Sequence, residues 1–491
     1  MTAKYFVLFI YFLALFGIGV FAAGKVKNIK DYYVGGKKLG FWVVAFSTRA
    51  TGASAWVLLG LTGMGAIFGI YAYWVALGTL LGEIISWFFM AKPFKRLTDK
   101  YDSITIPDYL ESRFKATTHW LRGIAATALS LFVMIYVSAQ IDATGTAFET
   151  FLGWNYFLGA VFGFLIVVAY MSFGGFVAVA WSDVFQGTIM LIGLLIIPAY
   201  FFFTEDIAEI APSLRSIDPA LLNIWGSEGF TAESISKIIG FLMIGLGYLG
   251  SPQLFVRYMS IKDTAEIDIG KWVSVTLTLF MNVSAVTIGI LGRYYLTSPA
   301  DDPVMVLGNG GQSVLILLVE VLMPNIISGL YIAAILAAIM STIDSLLVLA
   351  SSAISRDFYQ KIFHPDLQDS QLSLFSKKVT LALSFFALLL AMVVALISPN
   401  RTIFWFVIFG WSGIAATFCP VMILSLFWKS FNEKGAIASM ISGFLCVPLF
   451  KFALPALPEY GIYFQNMAEL FPSFITSIFL GIVVSKLTAS K

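Results

Sequence analysis

Thirteen stretches of this chain are long and apolar enough to cross a lipid bilayer, and the connections between them run to about thirty residues at most. In hydrocarbon each backbone N–H and C=O must find its partner inside the protein, so these stretches are expected to be helices packed into a bundle. They cover roughly 5–24, 42–69, 71–91, 120–147, 155–175, 183–203, 235–257, 272–296, 326–353, 379–398, 402–428, 435–455 and 470–487. A run near 313–323 reads as an extra interfacial helix. With 59% hydrophobic and 12% charged residues over 491 positions, no soluble domain is expected. The chain reads as a single all-α polytopic membrane protein, residues 1–491, whose constant partner is the lipid bilayer. A net charge of +2 supplies no polybasic tail for nucleic acid. The first run lacks a basic leader beyond Lys4 and reads as a retained helix. Cys419 and Cys446 both sit in apolar runs and imply no disulfide framework.

Lys and Arg set the expected orientation. Of the 30 basic residues, 23 fall at one set of helix ends, six at the other, and Arg49 lies within a span. Basic residues collect on the cytoplasmic side, so the N-terminus is expected outside and the C-terminus inside.

One span is apolar yet polar at its middle: AAILAAIMSTIDSLLVLASS, 333–352. As a helix it places Ala338, Ser341, Thr342 and Ser345 at i, i+3, i+4 and i+7, on one face. Asp344 lies at the edge of that face. An ionisable residue in hydrocarbon normally faces the bundle interior or a watery cavity. Hydroxyl oxygens beside a carboxylate suit a hard, partly dehydrated cation. The plainer reading, small residues bonding back to their own helix, fits a lone Ser-Thr pair better than it fits this constellation.

Two spans carry signs of interruption. The second, FSTRATGASAWVLLGLTGMGAIFG, has a small polar centre around Gly52. The seventh, GFLMIGLGYLGSPQLF, holds Gly245, Gly247, Gly250 and Pro252. Glycine eases unwinding and proline removes a donor. Two broken helices five spans apart are the mark of an inverted repeat, here 42–203 and 235–428. Residues 5–24 precede the repeats, and two helices at 435–487 follow them.

Other polar groups lie within spans. Asp183 at the start of the sixth span suits either a helix N-terminus or a cation. Glu83, Gln140 and Asp142 either pair locally or line a path. Arg49, just before the break, is expected to pair with a carboxylate or snorkel to the interface rather than touch a ligand. Tyr248, between glycines of the seventh span, can reach a midplane site.

Four segments together carry a resemblance. They are ASAWVLLGLTG at 53–63, GGFVAVAWSDVFQG at 174–187, GLGYLGSPQLFVRYM at 245–259 and AAILAAIMSTIDSLLVLASSAISRDFY at 333–359. In this order they resemble the sodium:solute symporter family, most closely its sodium/proline branch. The resemblance implies the leucine-transporter fold, a 5+5 inverted repeat with flanking helices, and sodium-driven solute uptake by alternating access. It implies a main sodium site on the carbonyls of Ala50, Ala53 and Ala338 and the hydroxyls of Ser341 and Thr342. A second sodium site, present in some members, falls on Asp183, Asp344 and Ser345. Substrate-proximal positions fall on Ser54, Tyr248 and Pro252, and Ile244 and Gln140 complete the expected pocket. Two departures stand out. Gly52 occupies the place of an Asp that contributes to sodium binding in the proline branch, and Ile244 occupies the place of a Trp. A pocket without that ring differs in size and stacking surface. Arg49 is also foreign to the branch's pattern.

The expected function is therefore sodium-coupled import of a small organic solute, such as proline or another amino acid. A proton-coupled or sodium-independent transporter of a small carboxylate or sugar is the first rival, with Asp183, Asp344 and Arg49 handling charge. A membrane sensor is the second, although the 491 residues include no kinase-like region. An enzyme is not expected: His119 and His364 are the only histidines, both near loops, and no nucleophile and base are paired.

Overall fold

Helices follow the apolar runs almost everywhere in the computed structural model, which describes residues 2–25, 28–171 and 175–489. Lys27 and Lys491, counted for orientation, and Gly174 of the second quoted segment lie outside these residues. Among the described residues the only β-type contact is an isolated parallel bridge between Leu39 and Ile261. Among the described residues eleven helices are long and apolar enough to cross a membrane. One, Phe41–Lys100, is a 60-residue stretch covering the expected second and third spans, which join through a tight turn at Gly69–Ala72. The expected fifth span appears as the shorter apolar helix Tyr156–Ala169, and the interfacial run as Val314–Leu322.

Burial ranks the spans. The most apolar window of the ninth, Asn325–Phe363, is 100% buried, whereas that of the tenth, Gln371–Ile397, is 22% buried. The ninth span is thus the axis of the bundle, packed against the second, fourth and sixth. The first, tenth, twelfth and thirteenth form the rim and present Phe6, Phe9, Phe386 and Phe479 outward. Such a belt of bulky apolar side chains is stable only against lipid.

Both expected interruptions are present. In the second span the helix Phe41–Ala55 breaks at Ser54, whose φ of 45° and ψ of −171° are non-helical. A π-helical turn, Trp56–Leu61, follows before Thr62–Phe68 resumes. The break lies two residues beyond Gly52. In the seventh span the helix Ala232–Met243 gives way to a 3₁₀ segment, Ile244–Leu249, and restarts at Pro252. Gly245 is required there: a Cβ would lie 1.9 Å from the Gly78 carbonyl of the third span. Backbone pressed this closely against a neighbouring helix holds the unwound segment in place.

Candidate functional site

The hydroxyl ladder of the ninth span faces the break in the second. Ser341 Oγ donates to the Ala50 carbonyl at 3.2 Å and to the Ala338 carbonyl at 3.1 Å. Thr342 Oγ1 donates to the Thr51 and Ala338 carbonyls, each at 3.1 Å. All of these residues are buried. Three carbonyl oxygens and two hydroxyls therefore converge where two helices meet at membrane depth. Oxygen donors without sulfur or imidazole suit a hard monovalent cation, and each hydroxyl can turn a lone pair toward one. Of the expected main-site residues, Ala50, Ala338, Ser341 and Thr342 come together, and Thr51 joins them. The Ala53 carbonyl instead accepts the Trp56 backbone N–H beyond the break.

The break itself is held by the fourth span. Gln140 Oε1 accepts the Ala55 N–H at 3.0 Å, and Gln140 Nε2 and Tyr136 Oη each donate to Ser54 Oγ at 3.4 Å. Trp56 Nε1 donates to the Gly52 carbonyl at 2.9 Å. These bonds satisfy groups that the lost helical turn leaves free. Beside them lies a small, tightly closed cavity lined by Trp56, Tyr136, Ile244, Tyr248, Val407, Ile408 and Trp411. Its walls are aromatic and branched, with Tyr248 edge-on to Trp411 at 5.3 Å. Trp411 Nε1 donates to the Ile244 carbonyl at 3.1 Å, tying the eleventh span to the unwound seventh. Of the expected pocket residues, Ile244 and Tyr248 line this cavity, and Ser54 and Gln140 are bonded to each other beside it. Pro252 is buried at the first position of the restarted helix, outside the lining. Tyr136, Trp56 and Trp411 were not anticipated, because the sequence contains 16% aromatic residues and most of them are bulk.

Asp183 and Ser345 have a partner that sequence reasoning missed. Arg257, counted among the basic residues at a helix end, is 1% exposed. Its Nη2 donates to Asp183 Oδ2 at 2.9 Å, Ser345 Oγ at 2.6 Å and Thr51 Oγ1 at 2.5 Å, and its Nε donates to Ser47 Oγ at 2.7 Å. Ser47 Oγ donates in turn to Asp183 Oδ2 at 2.6 Å. One guanidinium thereby joins the second, sixth, seventh and ninth spans. It engages two of the three residues expected to form a second cation site. The third, Asp344, lies one turn beyond Met340 on the same helical face. That face meets the first span, where Tyr11 Oη donates to Met340 Sδ at 3.7 Å and accepts from Gln186 Nε2 at 3.2 Å.

Arg49 neither snorkels nor forms an ion pair among the described residues. It is 2% exposed, with Nη2 donating to Asn282 Oδ1 at 2.6 Å and Nη1 to Tyr248 Oη at 3.3 Å.

Ion pairs close both ends. At the Lys/Arg-rich end Arg122 of the fourth span binds Asp108 at 2.8 Å, Glu111 at 2.7 Å and Asp357 of the ninth. Asp108 sits in the short helix Ile106–Phe114 outside the spans. Burial pushes its carboxyl up, but Arg356 and Arg122 outweigh that and hold it below the usual carboxylate range. At the opposite end Arg401 binds Asp142, which also accepts from Tyr156 Oη at 2.6 Å, and Lys4 pairs with Glu320 at 2.6 Å. Asp142 therefore pairs locally.

The model of the sodium:solute symporter family matches residues 32–443. The high-affinity proline transporter PutP of Bacillus subtilis (strain 168) is 36% identical, over 96% of this chain and 95% of that protein. The osmoregulated proline transporter OpuE of the same organism is 34% identical, over 98% and 94%. A solved Na+-coupled sialic acid symporter in its substrate-bound, outward-open state superposes with a TM-score of 0.80 at 22% identity, covering 99% of this chain and 98% of that one. Mhp1, a nucleobase-cation-symport-1 family transporter in a closed conformation, gives a TM-score of 0.57 at 13% identity, over 93% and 94%.

Proposed function

From the premise that this chain belongs to the sodium:solute symporter family, we propose that it imports proline or a closely similar amino acid with sodium across the plasma membrane. It is a transporter rather than an enzyme, and sodium is its coupling ion. The observation that carries the site assignment is the ladder of Ser341 and Thr342 hydroxyls on the Ala50, Thr51 and Ala338 carbonyls, beside the broken turn at Ser54.

In this reading sodium binds where the second and ninth spans meet. Ala50, Thr51 and Ala338 offer carbonyl oxygens, and Ser341 and Thr342 offer hydroxyls. Ser54 begins the segment that also borders the solute cavity, so fixing the second span against the ninth fixes one wall of that cavity. Trp56, Tyr136, Tyr248 and Trp411 give a small ring solute apolar contact. Linkage requires sodium and solute to tighten each other by the same factor. The ends then open in turn: release of Arg401 from Asp142 exposes the cavity outside, and release of Arg122 from Asp357 exposes it inside. The Lys/Arg bias supports an orientation with the N-terminus outside.

The test is uptake of radiolabelled L-proline into proteoliposomes under an inward sodium gradient, with no pH gradient. Accumulation that collapses when sodium is equilibrated supports the reading. Equal accumulation under a proton gradient without sodium would favour a proton-coupled carrier and end it.

A further inference from the structure

A charge buried in a membrane protein normally has its counter-charge beside it, because an isolated ion is costly to remove from water. Arg257 obeys this rule through Asp183. Arg49 does not. It is 2% exposed, forms no ion pair among the described residues, and its Nε–H has no hydrogen-bond partner. Its two other contacts, Asn282 and Tyr248, are neutral. Glu83 forms no ion pair with it: Ser274 and Trp87 both donate to Glu83 Oε1, at 2.5 Å and 2.9 Å, and Glu83 Oε2 has no hydrogen-bond partner.

The position of this guanidinium matters. Arg49 stands less than one turn before Gly52 and reaches the hydroxyl of Tyr248, a wall of the solute cavity. At Gly52 an added Cβ would meet the Tyr248 hydroxyl at 3.4 Å. The Tyr248 ring and Leu254 thus pack directly against Gly52, and Tyr248 is the side chain shared by the guanidinium and the cavity wall. The cavity's lining carries no charged side chain, and the adjoining Ser54 and Gln140 are neutral. A solute bearing a carboxylate would enter an apolar chamber whose nearby unpaired cation is Arg49.

We propose that Arg49 is the counter-charge for the carboxylate of the transported solute, reached beside the Tyr248 hydroxyl that it already touches. This deepens the amino-acid reading above and rests on it. The guanidinium presents several N–H donors in a fixed fork matched to the two oxygens of a carboxylate, whereas an ammonium offers a point charge. A site built around such a contact rejects an analogue that lacks it, because the buried donor is then left unpaired. The arrangement also gives the departures at positions 49 and 52 one cause: the charge at this corner of the site is positive rather than negative.

The experiment is binding of radiolabelled L-proline to the purified full-length protein at fixed saturating sodium, competed by unlabelled L-proline and by L-prolinamide, whose carboxylate is replaced by an amide. Wild-type protein should prefer L-proline by at least tenfold. Arg49→Gln should weaken L-proline binding at least tenfold and bring the two competitors close together, while Arg49→Lys should retain part of the preference. Sodium-induced thermal stabilisation should survive in both variants, which separates loss of the solute contact from loss of fold or ion site. Unchanged L-proline affinity in Arg49→Gln overturns the proposal. So does equal competition by L-prolinamide in the wild-type chain, a comparison that needs no variant to fold. Failure of the parent reading shows in the wild type alone, as absence of sodium-dependent uptake, and overturns both.

Discussion

Arg257 of the seventh span and Asp183 of the sixth are ion-paired at 2.9 Å, both buried, with Ser47, Thr51 and Ser345 hydroxyls gathered around the same guanidinium. Removing one member of a buried pair leaves an uncompensated charge, which costs about 3–5 kcal/mol. Arg257→Met and Asp183→Asn are each expected to lose that much stability, and the double variant less than their sum. Thermal unfolding in detergent measures the cycle; strict additivity would mean that the pair is not coupled.

The same contact bears on ion stoichiometry. With Asp183 and Ser345 held by Arg257, the chain's own cation occupies two of the three residues on which the family resemblance puts a second sodium. One sodium is expected per solute. Reversal potentials in proteoliposomes, set by opposing solute and sodium gradients, give the ratio directly, and a value of two would refute it.

Ser341→Ala and Thr342→Ala each remove a hydroxyl from the junction of the second and ninth spans. Each is expected to raise the sodium concentration for half-maximal uptake about tenfold, equivalent to about 1.4 kcal/mol. Expression should be near normal, since neighbouring carbonyls keep their helical bonds. A double variant with unaltered sodium dependence would place the ion elsewhere.

Ser54 holds a backbone conformation, φ 45° and ψ −171°, that side chains rarely adopt. Such residues store about 1–3 kcal/mol of strain. Ser54→Gly should relieve it and raise thermal stability, yet weaken solute binding through loss of the contacts from Tyr136 and Gln140. Ser54→Val should lower both. Matching stabilities for the two variants would show that the break carries no strain.

Asp108 gives a pH dependence at the basic end. Its folded-state pKa is depressed by Arg356 and Arg122, so its contribution to stability is complete above the unfolded-state value of about 3.9. That contribution is lost as pH falls through the lower folded value. Asp108→Asn should be less stable than the parent at neutral pH and should converge with it in acid. Thermal melts from neutral pH to strong acid check this.

Hydropathy alone located the spans, because a bilayer demands long apolar helices whatever they pack against. Glycine and proline marked both broken helices, and the 3.6-residue period placed Ala338, Ser341 and Thr342 on one face, because backbone freedom and helical geometry are local properties. Partners were another matter. Arg257 reads as one more basic residue near a helix end, and Arg49 as a cation in search of a carboxylate. Only the packing of the sixth, seventh and ninth spans gives the first its Asp183, and only the packing of the second against the eighth leaves the second with a neutral Asn282. Asp344 likewise lies on the Met340 face toward Tyr11, a residue 333 positions earlier in the chain. A buried charge is defined by what surrounds it in three dimensions, and its neighbours come from helices that sequence spacing does not relate.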